Sequence, residues 1–254
     1  ATVCGDAPQA NVQCAAGGRS TDGETDTQGL TDLHKRSAEY YKAGARFAKW
    51  RNVLKIEPAK NIPSALAVSR CAETLARYAA ISQNNGLVPI VEPEVLMDGT
   101  HSIARCYEIS DWTLNTVYAA LADRGVHLPG TLLKPNMVIS ANDADDRVGV
   151  EEVARKTLRC LKATVPPAVP GIMFLSGGQS EAEATAHLNA MNAIGGGPWE
   201  LSFSYGRALQ QSALYAWGGD SANCTAAQAA FLHRARLNGA ARYGRYATEM
   251  EAEA

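Results

Sequence analysis

The chain has 254 residues, of which 46% are hydrophobic and 20% charged, an ordinary composition for a globular protein. A formal net charge of -2 gives no electrostatic reason to expect nucleic acid or an anionic membrane as a partner. No apolar run approaches the ~18 residues of a membrane span, and residues 1–6 lack the basic and apolar regions of a signal peptide. We therefore expect a cytoplasmic protein.

The six cysteines and five histidines are scattered along the chain. They form no Cys-x-x-Cys pair and no HExxH motif, so the sequence favours neither a zinc site nor a thioredoxin-like redox site. Scattered cysteines in a chain of this length are typical of reduced residues in a cytosolic protein. We interpret the histidines as structural or surface residues and expect no metal cofactor.

Strand and helix patterns alternate after an N-terminal segment, residues 1 to about 25, that has no clear period and is predicted to be a loop or mobile arm. The first predicted helix covers 28–43, with Leu30, Leu33 and Tyr41 as candidate core positions and Gly44 as its stop. Strands are predicted at 47–54, 87–94, 131–138, 171–176 and 199–204, and further helices at 64–83, 103–123, 150–163, 180–191, 206–215 and 226–241. This alternation predicts an α/β fold with a parallel sheet and helices outside it.

Polar side chains recur late in the predicted strands. Because strand residues alternate between two faces, each of four pairs shares a face: Lys49 with Arg51, Glu92 with Glu94, Lys134 with Asn136, and Ser202 with Ser204. Parallel strands point the same way, so these groups are expected at the C-terminal end of the sheet, where α/β active sites lie. Charges there must be paired or hydrated, and a set of ion pairs holding a barrel interior is the structural alternative.

Lys134 lies in an apolar run, where a lysine is rarely buried unless something pairs with it. It is either a lysine that reaches water from a strand end or a desolvated amine able to attack a carbonyl. Lys49 is the candidate for a second cation that would favour the neutral amine. Glu92 could move the protons needed to form an imine with a ketone, and that imine would draw electrons from a breaking C–C bond.

Two predicted strand-to-helix loops favour an anion. Ser176, Gly177 and Gly178 end one strand and open a helix, where free N–H groups and the helix dipole attract negative charge. The loop with Ser204, Gly206 and Arg207 repeats this and adds a guanidinium. Phosphate sites built by the last two βα loops recur in eightfold barrels, so the substrate is expected to be phosphorylated.

Six motifs resemble those of the class I fructose-bisphosphate aldolase family, and the resemblance runs from about residue 19 to about residue 245. They are DGET through QGL (22–30), FAKWR (47–51), LVPIVEPE (87–94), GTLLKPNMV (130–138), FLSGGQS (174–180) and FSYGRAL (203–209). The resemblance implies a (β/α)8 barrel, a homotetramer, no metal, and reversible cleavage of fructose 1,6-bisphosphate to dihydroxyacetone phosphate and glyceraldehyde 3-phosphate in glycolysis and gluconeogenesis.

The resemblance also implies residue roles. Lys134 matches the Schiff-base lysine, and Glu92 the acid/base glutamate with Glu94 beside it as a further catalytic residue. Lys49 matches a second active-site lysine that contacts substrate, with Arg51 beside it as a further substrate-binding residue. The substrate phosphate would be held by the two loops, through Ser176, Gly177, Gly178, Ser204, Gly206 and Arg207. By domains, residues 1–18 are an unassigned arm, 19–245 the single barrel portion and 246–254 a C-terminal tail.

The five predicted strands resemble only the fourth to eighth strands of the family. The aspartate of the family's first strand and the lysine of its third have no counterpart, and the final residues do not resemble the family's tyrosine-ended tail. We therefore expect a fragment or a truncated homologue with little or no aldolase activity by itself. The alternatives are an aldolase-like binding or assembly protein, or another Schiff-base enzyme acting on phosphorylated sugars.

Overall fold

The computed structural model describes residues 23–252 together with the backbone of residues 11–13. In this part of the chain, five parallel strands form one sheet in the order β3-β4-β5-β6-β7, and two short antiparallel strands, β1 and β2, pair beside it. The strands are β1 Asn11–Gln13, β2 Thr25–Thr27, β3 Phe47–Leu54, β4 Val88–Val95, β5 Leu132–Leu133, β6 Gly171–Phe174 and β7 Glu200–Phe203. The helices are α1 Leu33–Lys42, α2 Ala65–Asn84, α3 Ile103–Asp123, α4 Val150–Thr164, α5 Glu181–Ile194, α6 Arg207–Trp217 and α7 Cys224–Ala241.

This architecture confirms the predicted alternation of five parallel strands with helices. Each strand of the main sheet pairs with the next one along the chain, and helices α2 to α5 connect consecutive strands. One hydrophobic cluster fills the space between the sheet and these helices, with Leu75, Leu133, Ile172 and Phe174 among its most buried members. Burial of about 1.5–3 kcal/mol per large apolar side chain supplies the main driving force for this layer.

The helices begin where the local chemistry predicts. The Ser64 hydroxyl caps α2 by accepting from the Ala67 N–H, and the Glu24 carboxylate accepts from both the N–H and hydroxyl of Ser64 at 2.6 Å. Ser180 and Glu183 form a capping box at the start of α5. Among the described residues, no helix combines the length and hydropathy needed to cross a membrane.

The prediction of a loop for residues 1–25 is wrong at β1 and at the start of β2; residues 1–10 and 14–22 lie outside the described part. The β2 strand pairs antiparallel with β1 and is joined to β3 by side-chain contacts that no local pattern reveals. Asn52 Nδ2 donates to Asp26 Oδ1 at 2.8 Å, and the Thr27 hydroxyl donates to the Arg51 carbonyl at 2.8 Å.

The first helix is shorter than predicted and begins at Leu33, because Gly29 and Asp32 both take positive φ angles that interrupt a helix. Of its three candidate core residues, Leu33 is buried and Leu30 packs partly against the core. The prediction for Tyr41 is wrong, since it is 41% exposed and its ring stacks under the Arg46 guanidinium at 4.2 Å. Gly44 does stop the helix, with φ at 103°.

The predicted strand 131–138 is also shorter, because only Leu132–Leu133 has strand geometry. The expectation that Lys134 and Asn136 share a face is therefore wrong. Lys134 turns to Glu92 on β4, whereas Asn136 Nδ2 donates to the Ser110 hydroxyl on α3 at 3.2 Å. Two prolines, Pro93 on β4 and Pro135 after β5, interrupt the backbone pairing here, since proline has no N–H to donate.

Candidate active site

Glu92 lies at the centre of the candidate active site, on β4, and is 2% exposed. Its two carboxylate oxygens are engaged by two different lysines. Lys49 Nζ on β3 donates to Oε2 at 2.7 Å, and Lys134 Nζ, which follows β5, lies 2.9 Å from Oε1. The structure thus brings together three residues predicted from separate strands, and we call them the Lys–Glu–Lys cluster.

The parallel register explains why the Lys–Glu–Lys cluster forms. Ile90 pairs with Lys49 on one side and with Leu132 on the other, so Glu92 lies two residues further towards the C-terminal end. Even-numbered residues of β4 point to the same face, which is the face that Lys49 and Lys134 reach. The Lys134 side chain is 13% exposed and that of Lys49 is 32% exposed, so the nucleophile candidate is the more desolvated of the two.

A second ion pair lies beside the cluster. Arg51 Nε on β3 donates to Glu94 Oε2 at 2.5 Å, and the Glu94 side chain is 9% exposed. Burial acts to lower the pKa of Arg51, but the hydrogen bond to Glu94 and the charges of Glu94 and Glu92 outweigh it and raise that pKa above its ordinary value. Arg51 therefore carries a fixed positive charge, and the Glu94 carboxylate is occupied by its ion pair with Arg51.

The arrangement provides the parts of an imine-forming site. A buried carboxylate within hydrogen-bond distance of an amine can carry protons to and from it. The second ammonium supplies positive charge on the other side of the same carboxylate. The same contacts also fit a structural ion-pair network, and substitution of Glu92 distinguishes the two interpretations. In the described residues, no group of three or more His, Cys, Asp or Glu side chains has the arrangement of a metal site.

The two predicted anion loops lie next to each other because β6 pairs with β7. The Ser204 N–H donates to the Phe174 carbonyl at 2.9 Å. Gly178 and Arg207 line one open cavity of about 600 Å³, whereas Lys134 and Glu92 do not line it. The structure therefore brings the two loops together and leaves the Lys–Glu–Lys cluster outside this cavity.

The helices after these loops differ in how their first N–H groups are used. At the start of α5 the capping box already satisfies the backbone N–H groups of Ser180 and Glu183, so fewer N–H groups are left there to bind an anion. Helix α6 begins at Arg207 after Gly206, and no side chain caps it. The end of α6, where Arg207 is exposed, is thus the better anion site of the two, together with the backbone of the Gly177–Gly178 turn. Both glycines of that turn have positive φ, at 34° and 76°, which favours glycine.

Gln179 and His187 support the first anion loop, and sequence reasoning did not assign them this part. Gln179 Nε2 donates to the Ser176 carbonyl at 2.9 Å, while its Oε1 accepts from His187 Nδ1 at 2.6 Å. Burial lowers the pKa of His187 to about 4, an effect that Arg147 reinforces and Glu183 opposes. His187 is therefore neutral in the folded protein at pH 7, and its bond to Gln179 places the ring hydrogen on Nδ1. The hint in the sequence was Gln179 itself, which lies within the FLSGGQS motif.

This buried histidine makes stability depend on pH. In the unfolded chain His187 binds a proton near pH 6.5, whereas in the folded chain it does so only near pH 4. The free energy of unfolding therefore falls as pH drops through this window. We expect this group to lower the free energy of unfolding by roughly 3 kcal/mol between pH 7 and pH 4.

Urea unfolding of wild type and His187→Gln at pH 7, 6 and 5 measures this effect, and the free energy of unfolding should depend less steeply on pH in the variant. His34→Gln, at an exposed position, is the control. Equal slopes for wild type and His187→Gln would contradict the expectation.

The chain is similar to known proteins over most of its length. A family model described as "Glycolytic: Fructose-bisphosphate aldolase class-I" matches residues 15–254. Fructose-bisphosphate aldolase of Dictyostelium discoideum is 56% identical over 229 residues, covering 90% of this chain and 64% of that protein. The spinach cytoplasmic isozyme is 58% identical over 227 residues, covering 89% of this chain and 63% of that protein.

A solved structure is also similar. It is a co-crystal structure of fructose-bisphosphate aldolase from Plasmodium falciparum, with a TM-score of 0.89 and 51% identity, covering 93% of this chain and 67% of that one. The chain spans a little over six tenths of the length of the curated relatives named above.

Proposed function

The chain belongs to the class I fructose-bisphosphate aldolase family, and from this premise we propose that its Lys–Glu–Lys cluster is a Schiff-base aldolase site. The substrate would be fructose 1,6-bisphosphate, cleaved reversibly to dihydroxyacetone phosphate and glyceraldehyde 3-phosphate. The observation that carries the proposal is the pairing of Lys134 with the buried Glu92 at 2.9 Å. The family's chemistry runs through a Schiff base and uses no metal, which agrees with the assignment of Lys134 as the nucleophile.

Imine formation needs an amine that can lose its proton and a group that accepts it. The Lys134 nitrogen, once neutral, adds to the substrate ketone, and the resulting carbinolamine loses its hydroxyl as water. Glu92 is placed to take the proton from the amine and return one to the departing hydroxyl. Glu92, ionised again once it has protonated the departing hydroxyl, takes the proton of the substrate's C4 hydroxyl as the C3–C4 bond breaks. Glyceraldehyde 3-phosphate leaves, and the bonding electron pair forms an enamine with the iminium nitrogen as electron acceptor. The enamine that remains is protonated and hydrolysed, which releases the ketone product and regenerates Lys134.

The remaining predicted residues hold the substrate in this proposal. Lys49 contacts substrate from the opposite side of Glu92, and Arg51, oriented by Glu94, adds a fixed charge. Ser176, Gly177 and Gly178, with Ser204, Gly206 and Arg207, would bind a phosphate, as the open end of α6 and the exposed Arg207 support. Single charge-assisted hydrogen bonds of this kind contribute about 1.5–3 kcal/mol each.

Borohydride trapping tests the proposal. The chain is incubated with dihydroxyacetone phosphate and reduced, and the labelled lysine is located by peptide mass spectrometry. We expect a stoichiometric label at Lys134 and at least about tenfold weaker labelling by unphosphorylated dihydroxyacetone, because only the phosphate engages the two loops. No label, or equal labelling of exposed lysines such as Lys60, would contradict the proposal.

A second candidate, an aldolase-like binding or assembly protein, rests on the sheet itself. In the described residues β3 and β7 are the outer strands of the main sheet and do not pair with each other. We therefore expect weak cleavage of fructose 1,6-bisphosphate by the 254-residue chain even where Lys134 is labelled. Labelling without measurable cleavage favours this second candidate, whereas labelling with the turnover of a typical aldolase removes it. A homotetramer and a cytoplasmic location remain predictions. The similarity to a cytosolic isozyme of Arabidopsis thaliana and to the cytoplasmic isozyme of spinach supports the second of them.

A further inference from the structure

We propose that Asn136 is a positioning residue that sets the distance between Lys134 and Glu92 by joining the ends of β5 and β4. This inference rests on the function proposed above, because it concerns the same lysine. The Asn136 side chain does not face the substrate, since it is 5% exposed and lies against α3.

The backbone pairing of β4 with β5 stops just after the lysine. The Lys134 N–H donates to the Val91 carbonyl at 2.8 Å. In a parallel ladder the next bond would run from residue 93 to the Lys134 carbonyl, but residue 93 is a proline and has no N–H. The segment that carries Lys134 thus loses a backbone bond to the strand that carries Glu92 at the point where the two side chains meet.

The Asn136 side chain replaces a later bond of this ladder. In a continued ladder the Val95 N–H would donate to the backbone carbonyl of residue 136. Instead it donates to Asn136 Oδ1 at 3.0 Å. The pairing of the two strand ends therefore continues past Pro93 through a side-chain amide, and we call this bond the β4–β5 junction.

The amide is held in the required orientation by two further bonds. Asn136 Nδ2 donates to the Ser110 hydroxyl at 3.2 Å and to the Met137 carbonyl at 3.1 Å. An aspartate could not make these donations, and a leucine would leave the Val95 N–H buried without an acceptor. All of these groups are buried, so water cannot replace them.

Placement of the lysine should depend on this junction because the bond from the Lys134 N–H to the Val91 carbonyl is the last backbone bond between β5 and β4 before Pro93. The strand β5 has only two residues. On its other side, the chain just after Lys134 is joined to the end of β6 by a bond from the Leu175 N–H to the Pro135 carbonyl at 3.1 Å. Misplacement of a reacting group by about 1 Å can cost ~100-fold in rate.

Three variants test the proposal in the intact chain. Asn136→Leu removes the junction, and Ser110→Ala removes one of the bonds that orient the amide. Thr113→Val is the matched control, because Thr113 lines the same small cavity as Asn136 and Ser110, yet its buried hydroxyl has no hydrogen-bond partner among the described groups. The maximum rate of borohydride trapping with dihydroxyacetone phosphate and its half-saturating concentration are measured at a temperature where all variants are folded. Hydrogen exchange of the Val95 amide is followed in parallel.

For Asn136→Leu we expect a maximum trapping rate about 30-fold lower, with half-saturation changed less than about twofold, since the phosphate loops follow other strands. The maximum trapping rate should fall about threefold in Ser110→Ala and stay unchanged in Thr113→Val. The Val95 amide should exchange its hydrogen at least about tenfold faster in Asn136→Leu than in wild type.

A wild-type trapping rate in folded Asn136→Leu, or a loss shared equally by rate and half-saturation, would overturn the proposal. If the wild type itself takes no label, the proposed function fails. Unchanged Val95 exchange in Asn136→Leu would separately show that the junction does not exist.

Discussion

Replacement of Lys134 by methionine should abolish covalent capture of dihydroxyacetone phosphate, with a loss of at least ~10³-fold in trapping rate. Methionine has a similar shape but no amine, so no imine can form, and removal of a covalent nucleophile is among the most damaging changes in an active site. The fold should survive, because Glu92 keeps its bond to Lys49 at 2.7 Å. The label is measured by intact mass and peptide mapping after borohydride reduction, and the fold by circular dichroism.

Lys49→Met is the informative comparison for this experiment. It removes the same charge from the same carboxylate but leaves the proposed nucleophile in place, so labelling should be slower and still located at Lys134. Lys60→Met, at an exposed lysine paired with Glu57, should behave as wild type. A label that persists in Lys134→Met, or one that moves to Lys49, would show that the nucleophile has been assigned to the wrong residue.

Glu92→Gln should lower the trapping rate by roughly 10²–10⁴-fold, the range that general acid–base groups contribute. The amide keeps the shape of the carboxylate but can neither accept the proton from Lys134 nor balance two ammonium groups. Because Glu92 is 2% exposed, the variant should also lose about 2–3 kcal/mol in the free energy of unfolding. Urea denaturation measures the second effect and trapping the first.

The chain contains a closely matched control for this substitution. Glu57 also bridges two lysines, Lys55 at 2.9 Å and Lys60 at 2.7 Å, but at the surface. Glu57→Gln should change neither stability nor trapping measurably, since solvent screens exposed ion pairs. A Glu92→Gln variant that loses stability but traps at the wild-type rate would favour the structural interpretation, in which the cluster only holds the sheet together.

Which residues occupy the candidate site could be predicted because strand alternation is a local property. A period of two residues assigns Glu92 and Glu94 to one face whatever the rest of the chain does. Parallel pairing then requires such groups to gather at one end of the sheet. For this reason Lys49, Glu92 and Lys134 were predicted to lie together, and the boundaries of β3 and α3 matched the predicted ones.

Pairings across the sheet could not be predicted, because they depend on register between segments some 43 residues apart. The sequence placed Lys49, Arg51, Glu92 and Glu94 at one end of the sheet without pairing any of them. The structure pairs Lys49 with Glu92 and Arg51 with Glu94. It thereby leaves Glu92, the carboxylate shared by two lysines, as the one available for proton transfer.

By itself, the sequence determined the α/β class, the order of the elements, the polar residues at the strand ends and the family, because each follows from local period or from long motifs. Only the tertiary structure decided that Asn136 turns away from Lys134, that Tyr41 lies at the surface and that residues near 26 form a strand. The physical reason is common to all three. The bonds that join Asn136 to Val95 and Ser110, the arginine that stacks on the Tyr41 ring, and the asparagine that reaches Asp26 from β3 are contacts between parts of the fold, and such contacts outweigh local preference.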